Sequence, residues 1–183
     1  MLKTTLRSLA LTTLLALPAV AQENPMVGGA PMFAEKNIVE NAVNSKDHTT
    51  LVAAVQAAGL VETLQSPGPF TVFAPVNDAF AALPAGTVDT LLMPENKDML
   101  TKVLTAHVVA GKLSGAEIMR RAKASPDGFF HMQTVSGDAL SAQVKGRNLY
   151  LIDENGNASK VTIADVNQSN GVIHVVNAVL VPR

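Results

Sequence analysis

The stretch FTVFAPVNDAF, residues 70–80, joins an extended apolar run to a proline and a polar pair that can start a helix. Alternate side chains of a strand face opposite sides, so Val72 and Ala74 would lie on one face and Phe73 on the other. Apolar bulk on both faces is typical of a strand that is covered on both sides. The first half of this stretch therefore predicts a buried strand.

The second half of the stretch predicts a turn from that strand into a helix. Pro75 has no backbone N–H, so it ends strand pairing. Asn77 or Asp78 can cap the following helical turn, in which Phe80 would face inward. Packing and helix capping explain the presence of these residues, so no role in binding a substrate needs to be assumed.

The segment GVIHVVNAVLVP, residues 171–182, predicts a second buried strand because apolar residues occupy both of its faces. Such a strand belongs in the centre of a sheet. We interpret His174 as a hydrogen-bonded core histidine rather than as a ligand or a catalytic base. We also expect His174 or Asn177 to hydrogen-bond the corner at Asn77 and Asp78, which would join a helix to the sheet.

The rest of the chain has the periodicity of helices first and of strands afterwards. Apolar residues at helical spacing predict helices over residues 37–43, 49–58 and 114–123, and one with the stripe Met99, Leu100, Val103 and Leu104. Turn signals that separate antiparallel strands follow at residues 136–138, 145–147, 155–157 and 170–171. The predicted fold class is α+β, with helices over one part of an antiparallel β-sandwich.

The N-terminus has the pattern of a secretory signal peptide, which we place at residues 1–21. Lys3 and Arg7 precede an apolar run over residues 9–20, which is shorter than the roughly 20 residues of a membrane span. The mature chain is therefore expected to begin at Gln22 and to be periplasmic or extracellular.

The composition of the mature chain argues against several classes of function. Loss of Lys3 and Arg7 takes the formal charge from −1 to −3, which does not favour nucleic-acid binding. The absence of cysteine excludes disulfides, thiolate metal sites and a cysteine nucleophile. No later apolar run is long enough for a membrane span.

We expect a monomer with one domain over residues 36–183, preceded by a flexible leader over residues 22–35 that contains several prolines and glycines.

The segments FTVFAPVNDAF and NGVIHVVNAVLVP together resemble the two signature motifs of the fasciclin domain family. AAGLVETL, LTAHVVAGKLSG and TVSGDALSAQV stand in the family's order, so the resemblance covers residues 37–182. It implies a wedge-shaped antiparallel β-sandwich flanked by several α-helices. The motif residues that we expect to be structural are Thr71, Phe73, Pro75, Asn77, Asp78, Phe80, Asn170, Gly171 and His174.

The resemblance also implies an exported, non-catalytic module for cell adhesion or for attachment to a surface or matrix. Its partner would be a protein or polysaccharide of the cell surface, matrix or envelope. The family often has a Tyr-His pair in its middle segment, which is linked in animal members to receptor binding. Here Ala106 precedes His107, so receptor recognition does not carry over, while His107 and Val108 remain candidate partner contacts by resemblance.

Two other features of the sequence leave alternatives open. The end of the helix predicted for residues 114–123 carries three cations, Arg120, Arg121 and Lys123. They are typical either of a solvated C-terminal helical turn or of a patch that binds an anionic ligand. Met93, Met99 and Met119 suit core packing or the adaptable pocket of a carrier for a small apolar ligand.

The sequence contains no motif that indicates an enzyme. The histidines are not spaced as zinc ligands, and no serine has a recognisable nucleophile context. We therefore assign no catalytic residue, no metal ligand and no cofactor.

Overall fold

The structure is a computed structural model that describes residues 24–183. The signal peptide predicted for residues 1–21 lies outside the described residues. The described part of the chain contains seven α-helices: α1 (Ile38–Ala42), α2 (Thr49–Ala58), α3 (Val61–Gln65), α4 (Asn77–Ala81), α5 (Thr87–Leu91), α6 (Lys97–Thr105) and α7 (Gly115–Ala124). None of these helices is long and apolar enough to cross a membrane.

The strands form one short hairpin and one large sheet. The hairpin consists of β1 (Met26–Val27) and β2 (Ala30–Pro31). The sheet has the order β4-β3-β9-β8-β7-β6-β5. Its strands are β3 (Phe70–Pro75), β4 (Val108–Ala110), β5 (Phe129–Gln133), β6 (Ala139–Lys145), β7 (Asn148–Ile152), β8 (Ala158–Gln168) and β9 (Gly171–Val176).

The predicted α+β fold class is confirmed, and so is the antiparallel series, which runs from β5 to β9. One pair in the sheet is parallel: β3 runs beside β9, with Phe73 opposite His174. The sequence did not predict this direction, because a buried strand has the same apolar pattern in a parallel and an antiparallel pair. The two signature motifs therefore meet side by side in the sheet.

The β3–β9 pair separates two hydrophobic cores. On one face, Val72 and Ala74 of β3 belong to the core that helices α1–α6 cover. On the other face, Phe73 belongs to a core with Ile118 of α7 and with side chains of the later strands. The predicted burial of β3 on both faces is thus observed, and β9 is buried along its whole length.

Helix α6 differs in one respect from the predicted apolar stripe. Leu100, Val103 and Leu104 are buried, but Met99 is 59% exposed. The face that packs inward is centred on the two leucines, so Met99 lies at its solvent edge.

The segment predicted as a flexible leader is packed against the domain in its described part. Val27 and Met32 are only 4% and 2% exposed and belong to the helix-covered core. The Lys46 N–H donates to the Gly28 carbonyl at 3.1 Å, and the Phe33 N–H donates to Asn41 Oδ1 at 3.0 Å. Two apolar side chains thus dock residues 24–35 on the domain, although the segment is rich in proline and glycine.

We predict that Met32→Ala lowers the free energy of unfolding by about 2–5 kcal/mol, as expected for removal of a fully buried side chain. Met26→Ala is the matched control, because Met26 lies in the same docked segment and is 58% exposed. Urea denaturation of both variants measures the difference. Equal stabilities for the two variants would show that the leader does not contribute to the core.

Candidate functional site

Asn77 connects the corner after β3 to the start of α2. Its Oδ1 accepts hydrogen bonds from the Thr50 N–H at 3.0 Å and the Thr49 hydroxyl at 3.2 Å. Its Nδ2 donates to the Lys46 carbonyl at 2.9 Å. Asn77 thus satisfies an N-terminal N–H of a different helix, α2, and holds the segment that leads into that helix.

The predicted cap and the predicted link to the last strand are both corrected. Val76 is the N-cap of α4, and Asn77 already lies inside this helix, so its side chain is free to reach α2. Asp78 is exposed and makes no side-chain hydrogen bond among the described residues. The corner reaches β9 through the backbone instead, since the Val76 N–H donates to the Val176 carbonyl at 3.2 Å.

Neither residue proposed for that link forms a hydrogen bond with Asn77 or Asp78 in the described structure. His174 is fully buried, and its Nδ1 accepts from the Asp165 N–H at 3.2 Å while Nε2 donates to the Leu113 carbonyl at 2.8 Å. Burial lowers the pKa of His174, and the bond to Leu113 partly offsets this effect. Asn177 is exposed, and its Oδ1 accepts from the Lys160 N–H at 2.8 Å.

Asn170 holds the start of β9 against the helical layer, and Gly171 lets β9 approach β3 closely. Asn170 Oδ1 accepts from the Ile38 N–H at 3.1 Å, and its Nδ2 donates to the carbonyls of Leu64 and Ser66 at 2.7 and 3.0 Å. A Cβ atom on Gly171 would lie 2.2 Å from the Phe70 carbonyl oxygen, so only glycine fits there.

Thr71 performs a similar role on β3. Its hydroxyl donates to the Gly111 carbonyl at 2.7 Å and accepts from the Leu113 N–H at 2.9 Å. Pro75 is the last residue of β3, and Phe80 packs in the helix-covered core. The motif residues, with the exception of Asp78, thus have positions in the core or in its hydrogen bonds.

His107 and Val108 are buried, at 3% and 6% exposure, so they do not offer a surface to a partner. The His107 Nδ1 donates to the Val103 carbonyl, and its Nε2 accepts from the Leu180 N–H, both at 2.8 Å. Burial lowers the pKa of His107 to about 4, and the bond to Val103 offsets only part of the shift. His107 therefore joins the end of α6 to the segment after β9 as a neutral ring.

A cavity of about 110 Å³ lies between the helical layer and the sheet. Its wall is almost entirely apolar and includes Val27 and Met32 of the docked leader, Leu51 and Val55 of α2, and Ile173 of β9. Gln56, Thr63 and Val135 are exposed members of the lining, so the cavity reaches the surface. Met93, Met99 and Met119, which the sequence suggested as pocket residues, are not part of this lining.

The family model of the fasciclin domain matches residues 46–182. The chain belongs to the fasciclin domain family. The match covers both signature motifs and the segments between them, which confirms the resemblance drawn from the sequence.

Relatives of this fasciclin domain come from several groups of organisms. Protein sll1483 of Synechocystis sp. is 45% identical and covers 99% of both chains. The cell surface glycolipoprotein MPB83 of Mycobacterium bovis is 30% identical over 88% of this chain and 68% of its own. In structure, the domain resembles a FAS1 domain pair of the insect cell adhesion molecule fasciclin I, with a TM-score of 0.70 and 17% identity. That match covers 79% of this chain and 50% of the pair.

The cations at the end of α7 are exposed on the fasciclin domain, and two of them are paired. Glu117 accepts from Arg120 at 2.7 Å and from Arg121 at 2.6 Å, and these bonds lower the pKa of its carboxyl. Lys123 is also exposed. The end of α7 is therefore a basic surface, on which the Glu117 carboxylate neutralises part of the charge of Arg120 and Arg121.

Three polar side chains that sequence reasoning missed come together on the outer surface of β5 and β6. His131 Nδ1 lies 2.8 Å from Ser141 Oγ, and its Nε2 lies 2.8 Å from Asp127 Oδ2. In serine hydrolases the serine contacts Nε2 and the carboxylate contacts Nδ1, which is the reverse arrangement. The His131 and Asp127 side chains are 62% and 53% exposed, so the site does not exclude water.

The described residues contain no group of three or more His, Cys, Asp or Glu side chains placed to hold a metal ion. Three of the four histidines are instead buried among apolar residues or hydrogen-bonded to the backbone. The candidate binding sites among the described residues are the apolar cavity and the exposed basic end of α7.

We predict that Asn77→Ala lowers the free energy of unfolding by about 1–2 kcal/mol, because three hydrogen bonds to the α2 region are lost. Asp78→Ala is the matched control and should change it by about 0.5 kcal/mol or less. Thermal and urea denaturation compare the two. A larger loss for Asp78→Ala than for Asn77→Ala would contradict the assignment.

We also predict that the domain loses stability as the pH falls from about 6.5 to about 4. The unfolded chain binds a proton at His107 in this range whereas the folded chain does not, so acid favours unfolding. His107→Gln retains a donor and an acceptor but does not titrate. Its unfolding free energy should fall less steeply over this range in urea denaturation, and a slope equal to that of the wild type would contradict the prediction.

Proposed function

We propose that the protein is an exported, non-catalytic binding module that attaches to a component of a cell surface, matrix or envelope. The observation that carries the proposal is its membership of the fasciclin domain family over residues 46–182. Two named proteins add support: a relative that is a cell surface glycolipoprotein and a fold neighbour that is a cell adhesion molecule. The N-terminal pattern at residues 1–21 supports export.

The partner surface proposed here is the basic end of α7. His107 and Val108 are buried, and the motif residues are mostly occupied by packing and hydrogen bonds. Arg120, Arg121 and Lys123 are exposed and carry three positive charges beside one carboxylate. An acidic polysaccharide or an acidic protein face is the partner that this surface would attract.

Attachment of intact cells tests the proposal. Beads coated with residues 22–183 should bind cells or envelope fragments of the host, and deletion of the gene should reduce attachment. Replacing Arg120, Arg121 and Lys123 by alanine should weaken binding and its salt dependence. Lys145→Ala with Arg147→Ala, at the exposed turn after β6, is the matched control. Absence of binding together with normal attachment of the deletion strain would refute the proposal.

Intact-mass measurement of the exported protein tests the processing step. A mature chain that begins at Gln22 is expected. Retention of residues 1–21 together with the absence of an exported pool would contradict the proposed export.

The cavity supports a second candidate function, a carrier of a small apolar ligand. A volume of about 110 Å³ with an apolar wall and an opening to the surface suits a small hydrophobic molecule. Native mass spectrometry of protein purified from its own host should then reveal a retained small mass. Ligand-free protein that also fails to bind added hydrophobic probes would remove this candidate.

A further inference from the structure

Among the described residues, one buried side-chain polar atom has no hydrogen-bond partner: Nε2 of His48. His48 is 3% exposed and lines the apolar cavity. Buried polar groups in proteins are almost always paired, because an unpaired one loses its hydration without compensation. The position of this atom at the cavity wall therefore calls for a physical explanation.

The other polar groups in the deep lining are already occupied. His107 also lines the cavity, but both of its ring nitrogens are hydrogen-bonded to the backbone. Ser45 Oγ lies 2.8 Å from His48 Nδ1. Among the buried side-chain atoms of the described lining, Nε2 of His48 is therefore the unpaired one, and the side chains around it are mostly aliphatic and aromatic.

The contact with Ser45 determines which proton state His48 presents. The only hydrogen-bond partner of the Ser45 hydroxyl in the described structure is His48 Nδ1, and either atom can be the donor. We assign the hydroxyl as the donor, because it has no other acceptor among the described residues. Burial lowers the pKa of His48, and the nearby Ala74 carbonyl offsets part of this effect without reaching hydrogen-bonding geometry with Nε2. With this assignment, the neutral ring carries its single proton on Nε2.

Water is a poor partner for this N–H. A buried water molecule typically makes about three hydrogen bonds, and the buried side chains of the described wall provide one unpaired polar atom. A ligand with an apolar body and one acceptor oxygen satisfies both the wall and the N–H. The available volume of about 110 Å³ is below the ~150 Å³ of a cavity that accepts benzene, so the enclosed part of a ligand would be about four heavy atoms.

We propose that the cavity binds a small amphiphilic molecule whose carbonyl, ether or hydroxyl oxygen accepts a hydrogen bond from His48 Nε2. This inference rests on the carrier function and adds the chemical class of its ligand. His48 is the specificity-determining residue, and the apolar wall provides the affinity. A longer ligand would extend through the opening lined by Gln56 and Val135.

The test compares two probes of equal shape, cyclopentanone and methylenecyclopentane, which differ in a C=O and a C=CH₂ group. Binding of each to the full mature chain is followed by NMR titration of the lining residues. In His48→Leu, the ratio of the ketone to the alkene association constant should fall about three- to tenfold, the usual effect of one hydrogen bond. Val135→Ala, a lining substitution at the mouth, should leave this ratio unchanged.

The outcomes separate this inference from the carrier function. If both probes bind but the ratio is the same in wild type and His48→Leu, the role of His48 is refuted and the carrier remains. If neither probe perturbs the lining residues, both are refuted. A ¹⁵N spectrum of the wild-type histidines gives an independent result, because a proton on Nδ1 of His48 instead of Nε2 would overturn the acceptor assignment even if His48→Leu failed to fold.

Discussion

The parallel pairing of β3 with β9 is the constraint on which the rest of the fold depends. It brings Phe70 beside Gly171 and Pro75 beside Val176, and the backbones approach so closely that Gly171 has no room for a side chain. Both strands are covered on both faces, so they divide the domain into a helix-covered core and a core under α7. The two signature motifs are conspicuous in the sequence because they form this one contact.

The fold was largely predictable from the sequence because its signals are local. The spacing of apolar residues located α2 and α7, the turn residues located the hairpins, and two-faced apolar runs located β3 and β9. Strand direction was not predictable, since hydrophobic alternation is the same for a parallel and an antiparallel neighbour. Anchoring by Val27 was also missed, because a short segment with prolines and glycines has no period that reveals an anchoring side chain.

The candidate site was much less predictable than the fold, because it depends on which polar side chains form hydrogen bonds with residues that are distant in the sequence. Asn77 has the residue type and place of a helix cap, yet it caps α2, where it accepts from the N–H of Thr50, 27 residues earlier in the chain. His48 and His107 both follow polar or small residues in unremarkable contexts. Both ring nitrogens of His107 are hydrogen-bonded, whereas Nε2 of His48, a cavity-lining residue, is unpaired. Only the three-dimensional arrangement distinguishes the two histidines.

The pairing of β3 with β9 also fixes when the domain can become complete. A ribosome delivers the N-terminal part first, so α1 to α4 and β3 are made well before the partner strand that begins at Gly171. Until then β3 lacks one neighbour, and the helix-covered core lacks Ile173 and Val175. The contact joins residues 101 positions apart, so it carries a high entropic cost of loop closure and belongs to a late stage of folding. The central contact of the sheet can therefore form only after almost the whole described chain, up to the strand that ends at Val176, has been made.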